Sequence, residues 1–270
     1  MKTKTLYILI LIKVLFAFST SECFSDAEEL MDREKYSEAI NVLQECEEGP
    51  EVSKLLGEAY FELFMVDQAL GHLRKALEFD PSDKEIRIRY ARVLAYNQEF
   101  RASIDEFTSL KEEYPQSREV LMGLAKSLGW DRKYRRATEI YESLLESDPD
   151  DYEVMLEIGI LRGWERKYRE AVAVFDKIIE LPDAGDIKLL AKVNKAEVLG
   201  WQRRFDDAIE EYKKALSINP ELIDAYLGLG TIYEWQGKYK EAIKKYEEAL
   251  SVDPQNYEVK AKLEQLMWVR

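Results

Sequence analysis

Four of the five tryptophans, Trp130, Trp164, Trp201 and Trp235, follow one another at intervals of 34, 37 and 34 residues, and Tyr96 stands 34 residues ahead of the first. Three of them sit in one string, Gly-Trp-x-Arg-(Lys/Arg)-(Tyr/Phe), which begins at Gly129, Gly163 and Gly200 and places Arg132, Arg166 and Arg203 at a fixed offset from the indole. Flat aromatic faces at regular intervals suit an extended polymer. A sugar C–H face, a proline-rich peptide or a partner helix offers apolar area with a polar handle. A guanidinium over an indole adds a cation–π attraction of about 0.5–2 kcal/mol.

Other chemistry is excluded by what the chain lacks. One histidine (His72) and two cysteines (Cys23 and Cys46) cannot build a Cys/His zinc site or an iron–sulfur cluster. The formal charge of −14 opposes the phosphates of nucleic acid. The sequence holds no Gly-rich phosphate loop and no G-x-S-x-G elbow. His72 lies between Gly71 and Leu73 as a packed or surface residue, and the many paired carboxylates read as i,i+4 helix pairs. We therefore expect no catalytic residue, no metal and no cofactor.

The elements that must carry the ladder are legible in the punctuation. Hydrophobic residues make up 46% of the 270, enough to bury a core, and the seven prolines (Pro50, Pro81, Pro115, Pro149, Pro182, Pro220 and Pro254) fall at nearly constant intervals, the mark of a repeat array. A small residue recurs in the same register (Ala39, Ala69, Ser103, Ala137, Ala171, Ala208, Ala242), with another twelve positions earlier (Ala27, Gly57, Ala91, Ala125, Gly159, Ala196, Gly230). Four residues after the first series comes a large one: Leu43, Leu73, Phe107, Tyr141, Phe175, Tyr212, Tyr246. Spacings of three, four and seven are helical, and small residues opposite large ones let paired helices approach.

With these positions in view, the sequence resembles a tetratricopeptide repeat (TPR) protein. The clearest unit runs from Tyr226-Leu-Gly-Leu-Gly-Thr-Ile-Tyr233 through Gly237-Lys-Tyr-Lys-Glu-Ala242 and Tyr246 to Ala249 and Pro254. The resemblance implies an all-α, right-handed superhelix (α-solenoid) of about seven helix–turn–helix repeats, framed at 22–49, 50–83, 84–117, 118–151, 152–188, 189–222 and 223–256. Residues 257–270, with Val259, Leu263, Leu266 and Met267, read as a capping helix over the last open face. The closure Glu47-Glu48-Gly49-Pro50 predicts a shortened second helix in the first unit, and three extra residues around 181–186 predict a longer turn in the fifth.

In such an array the ladder falls near the end of each first helix, on the inner, concave surface. The resemblance therefore implies a groove in which Tyr96, Trp130, Trp164, Trp201 and Trp235 contact ligand, flanked by Arg132, Arg166 and Arg203. The preceding glycines would leave the indoles less shielded. An equally available reading has each aromatic packing on the next hairpin and each cation serving helix carbonyls and the helix dipole. Glutamates at first-helix starts (Glu51, Glu85, Glu119, Glu153) could select basic ligands, and read first as complements to helix N-termini. The Trp-x-Arg-Tyr string is also similar to the TPR segments of bacterial outer-membrane exopolysaccharide export proteins, which commonly pair such an array with a β-barrel, although no barrel is expected beyond the repeats here.

Residues 1–21 combine Met1-Lys-Thr-Lys4, an apolar run from Leu6 to Phe18 and the small residues Ser19-Thr-Ser21, the pattern of a cleaved export signal. Export would place the chain in the periplasm or at the outer membrane of a bacterium, with no membrane insertion after cleavage. Removing three lysines with the signal leaves −14 − 3 = −17. An oxidising compartment would allow a Cys23–Cys46 disulfide across the ends of the first hairpin; the plainer alternative is a small buried Cys46 and a free Cys23. The function expected is a non-catalytic protein–protein interaction scaffold that takes an extended peptide or partner protein in its groove. The alternative is a glycan- or exopolysaccharide-associated binding module of an envelope secretion system.

Overall fold

The computed structural model describes residues 23–182 and 185–267. The export segment 1–21, two residues of the expected longer turn and residues 268–270 of the capping segment lie outside them. Among the described residues the chain is all-helical: α1 (23–32), α2 (Tyr36–Glu45), α3 (Pro50–Glu62), α4 (Val66–Phe79), α5 (Lys84–Tyr96), α6 (Phe100–Glu113), α7 (Arg118–Trp130), α8 (Tyr134–Ser147), α9 (Tyr152–Trp164), α10 (Tyr168–Glu180), α11 (Ile187–Trp201), α12 (Phe205–Ile218), α13 (Ile223–Trp235), α14 (Tyr239–Val252) and α15 (Tyr257–Met267). They form two compact units, one ending at Ala137 and the other starting at Thr138.

Every turn from a first to a second helix closes in the same way. At 131–133, for example, Arg132 N–H donates to the Gly129 carbonyl at 3.0 Å and Lys133 N–H to that of Leu128 at 2.8 Å, the paired bonds of a Schellman motif. The motif needs one residue at positive φ. Gly237 fills that place at 73°, but Glu34, Phe64, Gln98, Arg132, Arg166 and Arg203 fill it elsewhere at 57–63°. From one hairpin to the next the chain uses side-chain turns. Asp80, Asp148, Asn219 and Asp253, each just before a proline, accept the N–H two residues on at 2.9–3.2 Å. Asp83, Asp151 and Asn256 then cap the following helices.

The irregular units take forms of their own. Helix α2 has 10 residues where α4, α6, α12 and α14 have 14, and Pro50 opens α3 at its first position, where its missing N–H costs nothing. In the fifth unit α10 ends one residue sooner, the link to α11 grows from four residues to six, and α11 reaches 15 residues against 13 in α3, α5, α7, α9 and α13. The insertion is thus shared between turn and helix. Cys23 and Cys46 are disulfide-bonded, with Cα atoms 6.0 Å apart, tying the start of α1 to the end of α2.

Packing within each unit follows the small–large pairing. Gly57, Gly159 and Gly230 lie against Leu73, Phe175 and Tyr246 of their own hairpins, so closely that an added Cβ would overlap those side chains. Gly123 and Gly228 receive Phe107 and Tyr212 from the hairpin before. Leu73, Phe175 and Tyr246 thus pack on the first helix of their own hairpin, and Phe107 and Tyr212 on that of the next. Unit 1 adds two polar ties: Ser103 hydrogen-bonds Ser127 at 2.8 Å in the core, and nearly buried Arg87 reaches Glu106, Glu113 and Ser109 of α6. In unit 2, α15 buries Val259 and Leu266 against the cluster around Ala242, Tyr246 and Ala249.

Candidate ligand groove

The ladder residues end their first helices, as Tyr96 of α5, Trp130 of α7, Trp164 of α9, Trp201 of α11 and Trp235 of α13. Tyr96 and Trp235 keep 46% and 45% of their surface exposed, Trp130 and Trp164 somewhat less, and Trp201 is half-buried. Their seats explain the recurring string. In unit 2 the Trp201 ring lies where a Cβ on Gly163 would meet it at 3.0 Å, and it stands 6.3 Å from the Tyr168 ring. Trp235 takes the same seat between Gly200, again at 3.0 Å, and Phe205 at 6.5 Å. The glycine and the terminal aromatic of one string therefore hold the indole of the following repeat. Gly163 and Gly200 each make room for the indole of the next repeat. In unit 1 Tyr96 lies edge-on to Phe61 at 5.4 Å and near Phe64 at 6.0 Å, a hydrophobic version of that seat.

The arginines have a different place. Arg132, Arg166 and Arg203 are exposed and occupy the positive-φ position of the hairpin turns. Arg203 lies 5.9 Å from the Phe205 ring rather than over an indole. The three cations thus stand on the hairpin turns, where the string places them.

Between α11, α13 and α15 of unit 2 opens a pocket of about 360 Å3, large enough for a long side chain. Trp201 and Trp235 form its aromatic lining, and Leu190, Val193, Leu227 and Ile232 supply apolar wall. Gly228 lets the Tyr212 ring and hydroxyl in between the helices, so that this otherwise buried phenol reaches the pocket floor. Glu197, Asp224 and Glu258 bring three carboxylates, and no lysine or arginine is among the lining residues. Crowding by the groove walls, then the Asp224 charge, raises the Glu197 carboxyl above its ordinary range although its surface still meets solvent. Burial, then Glu197 and Asp224, raises the Tyr212 phenol, which stays a protonated donor.

Sequence reasoning found the two indoles and missed the acids. Asp224 and Glu258 are 34 residues apart and continue the series Glu51, Glu85, Glu119, Glu153, so the periodicity marks them. Glu197 carries no such signal. Unit 1 has a smaller cavity of about 50 Å3 lined by Glu58, Phe61, Arg89 and Arg92, where Arg89 pairs with Glu58 and Glu85. Among the described residues no group of three or more His, Cys, Asp or Glu could hold a metal ion, and no helix is long and apolar enough to cross a membrane.

The hairpin array has the fold of tetratricopeptide repeat solenoids. The family profile described as tetratricopeptide repeat matches residues 223–256, and a second, described as TPR repeat, matches residues 202–237. Among solved structures, a tetratricopeptide repeat protein from Parabacteroides merdae is similar over 92% of this chain and 99% of its own, at 18% identity and a TM-score of 0.72. The C-terminal part of a TPR repeat-containing protein from Cytophaga hutchinsonii is similar over 89% and 99%, at 17% identity and a TM-score of 0.51. A chain of the APC/C hetero-tetramer Cut9–Hcn1 is similar at 14% identity and a TM-score of 0.54; the match spans 92% of this chain and 46% of that one. At these identities the likeness is one of fold. The curated proteins contain no match.

Proposed function

We propose that the protein is an exported, non-catalytic scaffold that holds an extended segment of a partner protein against the inner faces of its first helices. The observation that carries this reading is the indole pair of unit 2: Trp201 and Trp235 are anchored by glycine seats and present their remaining surface to a pocket with convergent polar groups. The Cys23–Cys46 disulfide fits an oxidising compartment, and with the export pattern of residues 1–21 it supports a periplasmic or outer-membrane-associated location. The carboxylate lining favours a peptide over an acidic polysaccharide, which three like charges would repel.

The test is affinity capture from the native envelope with the wild-type protein and with a Trp130, Trp164, Trp201 and Trp235→Ala variant shown by circular dichroism to remain helical. A partner held by the wild type and lost by the variant is the expected result. Equal recovery by both would end the groove reading. Fluorescence titration with neutral and acidic β-linked oligosaccharides examines the glycan alternative, and mass spectrometry of the envelope fraction examines export through an amino terminus near residue 22.

A further inference from the structure

We infer that the pocket between α11, α13 and α15 is a receptor for a single arginine side chain of the bound segment. This rests on the scaffold reading and sharpens it from an extended peptide to one with a basic residue at a fixed position. Glu197 and Asp224 come close enough that the Asp224 charge adds to the crowding that disfavours ionisation of Glu197, and Glu258 adds a third carboxylate from α15. Among the described residues none of the three is joined in an ion pair, whereas elsewhere in unit 2 carboxylates such as Asp176, Glu211 and Glu248 are matched with lysines. A cation entering the pocket would relieve this repulsion. An anion or a neutral group would leave it in place.

Shape and surface select the kind of cation. Two indoles border the pocket, the Tyr212 hydroxyl and Asn194 add polar partners, and four aliphatic side chains complete the wall. A guanidinium is planar, stacks on aromatic faces and donates in a fork that matches a carboxylate; its three-methylene stem suits the aliphatic wall. A lysine ammonium is a compact, strongly hydrated charge that uses the flat indole surface less well. A bare metal ion would want more oxygen ligands converging on one point than an open pocket provides.

The decisive measurement is calorimetric and fluorescence titration of the full-length protein with three short blocked peptides that differ only at a central residue: arginine, citrulline or lysine. Citrulline keeps the shape of arginine without its charge. The expected result is saturable binding of the arginine peptide with a Kd of about 1 mM or tighter, and weakening of about tenfold or more for citrulline. Lysine should fall between them. The Glu197→Gln/Asp224→Asn variant should lose the preference for arginine. Asp206→Asn/Glu247→Gln, which removes the same charge from exposed second-helix positions, should keep it, separating a built pocket from the general attraction of an acidic protein. Thermal melts of both variants establish that they fold.

Equal binding of arginine and citrulline, no saturable arginine binding, or an equal loss in both double variants would each overturn the inference. A wild-type protein that captures a partner through its indoles and yet takes all three peptides alike keeps the scaffold reading and loses this one.

Discussion

At Gly230 the fully buried Tyr246 ring occupies the space a β-carbon would need, and its hydroxyl donates to Glu234 at 2.6 Å. The ring cannot withdraw without breaking that bond. Gly230→Ala should therefore destabilise unit 2 by about 1–3 kcal/mol in urea or thermal unfolding, the usual penalty for overpacking. Glu197 acts in the opposite sense. Its native carboxyl binds a proton more tightly than the unfolded one, so as pH rises through the native value the folded state alone carries the cost of ionising it. Glu197→Gln should melt higher than wild type at pH 7, and the two curves should converge as pH falls towards about 4.3, the unfolded glutamate value. Thermal unfolding at several pH values measures this directly, and a variant less stable at pH 7 would contradict it.

Helix positions were readable in the sequence because small residue, large residue and proline recur in register, and these belong to single helices and their ends. The turns were not. Arginine, glutamine, glutamate and phenylalanine at positive φ contradict local preference, and among the turns from first to second helix only Gly237 advertises the conformation. Relieving one such residue should stabilise: Arg166→Gly is expected to gain about 0.5–1 kcal/mol by chemical denaturation, since its 61° φ favours glycine and its side chain is exposed. The Gly-Trp string hid one contact for a related reason. Gly163 sits beside Trp164 in sequence but makes room for Trp201, a contact that appears only when two hairpins stack. Hairpin geometry also governs the disulfide. Closing a loop of 23 residues should contribute about 3 kcal/mol, so Cys23→Ser/Cys46→Ser should speed hydrogen exchange in α1 and α2 well before it affects α13.

Over the whole molecule, helices of each unit pack against their immediate neighbours and, among first helices, against the next but one, as in α3 with α5, α9 with α11 and α11 with α13. Stability in such an array approximates a sum of repeat and junction energies, so unfolding can begin wherever a face is uncovered. Deleting residues 257–270 should lower the melting temperature and increase binding of a hydrophobic dye, because Val259 and Leu266 would no longer cover Tyr246 and Ala249. The acidic pocket shows the same dependence on assembly. Glu197, Asp224 and Glu258 lie on three different first helices, and their meeting could not be read from any one of them.

The seat of each indole has a direction. In unit 2 the tryptophan projects towards the repeat before it, while the glycine and aromatic that receive the next tryptophan belong to the same string. A repeat thus carries a plug and a socket of matching form. A duplicated copy inserted in frame would find both partners waiting, whereas an inverted half-repeat would find neither, so the array can lengthen by gene duplication without any junction being redesigned.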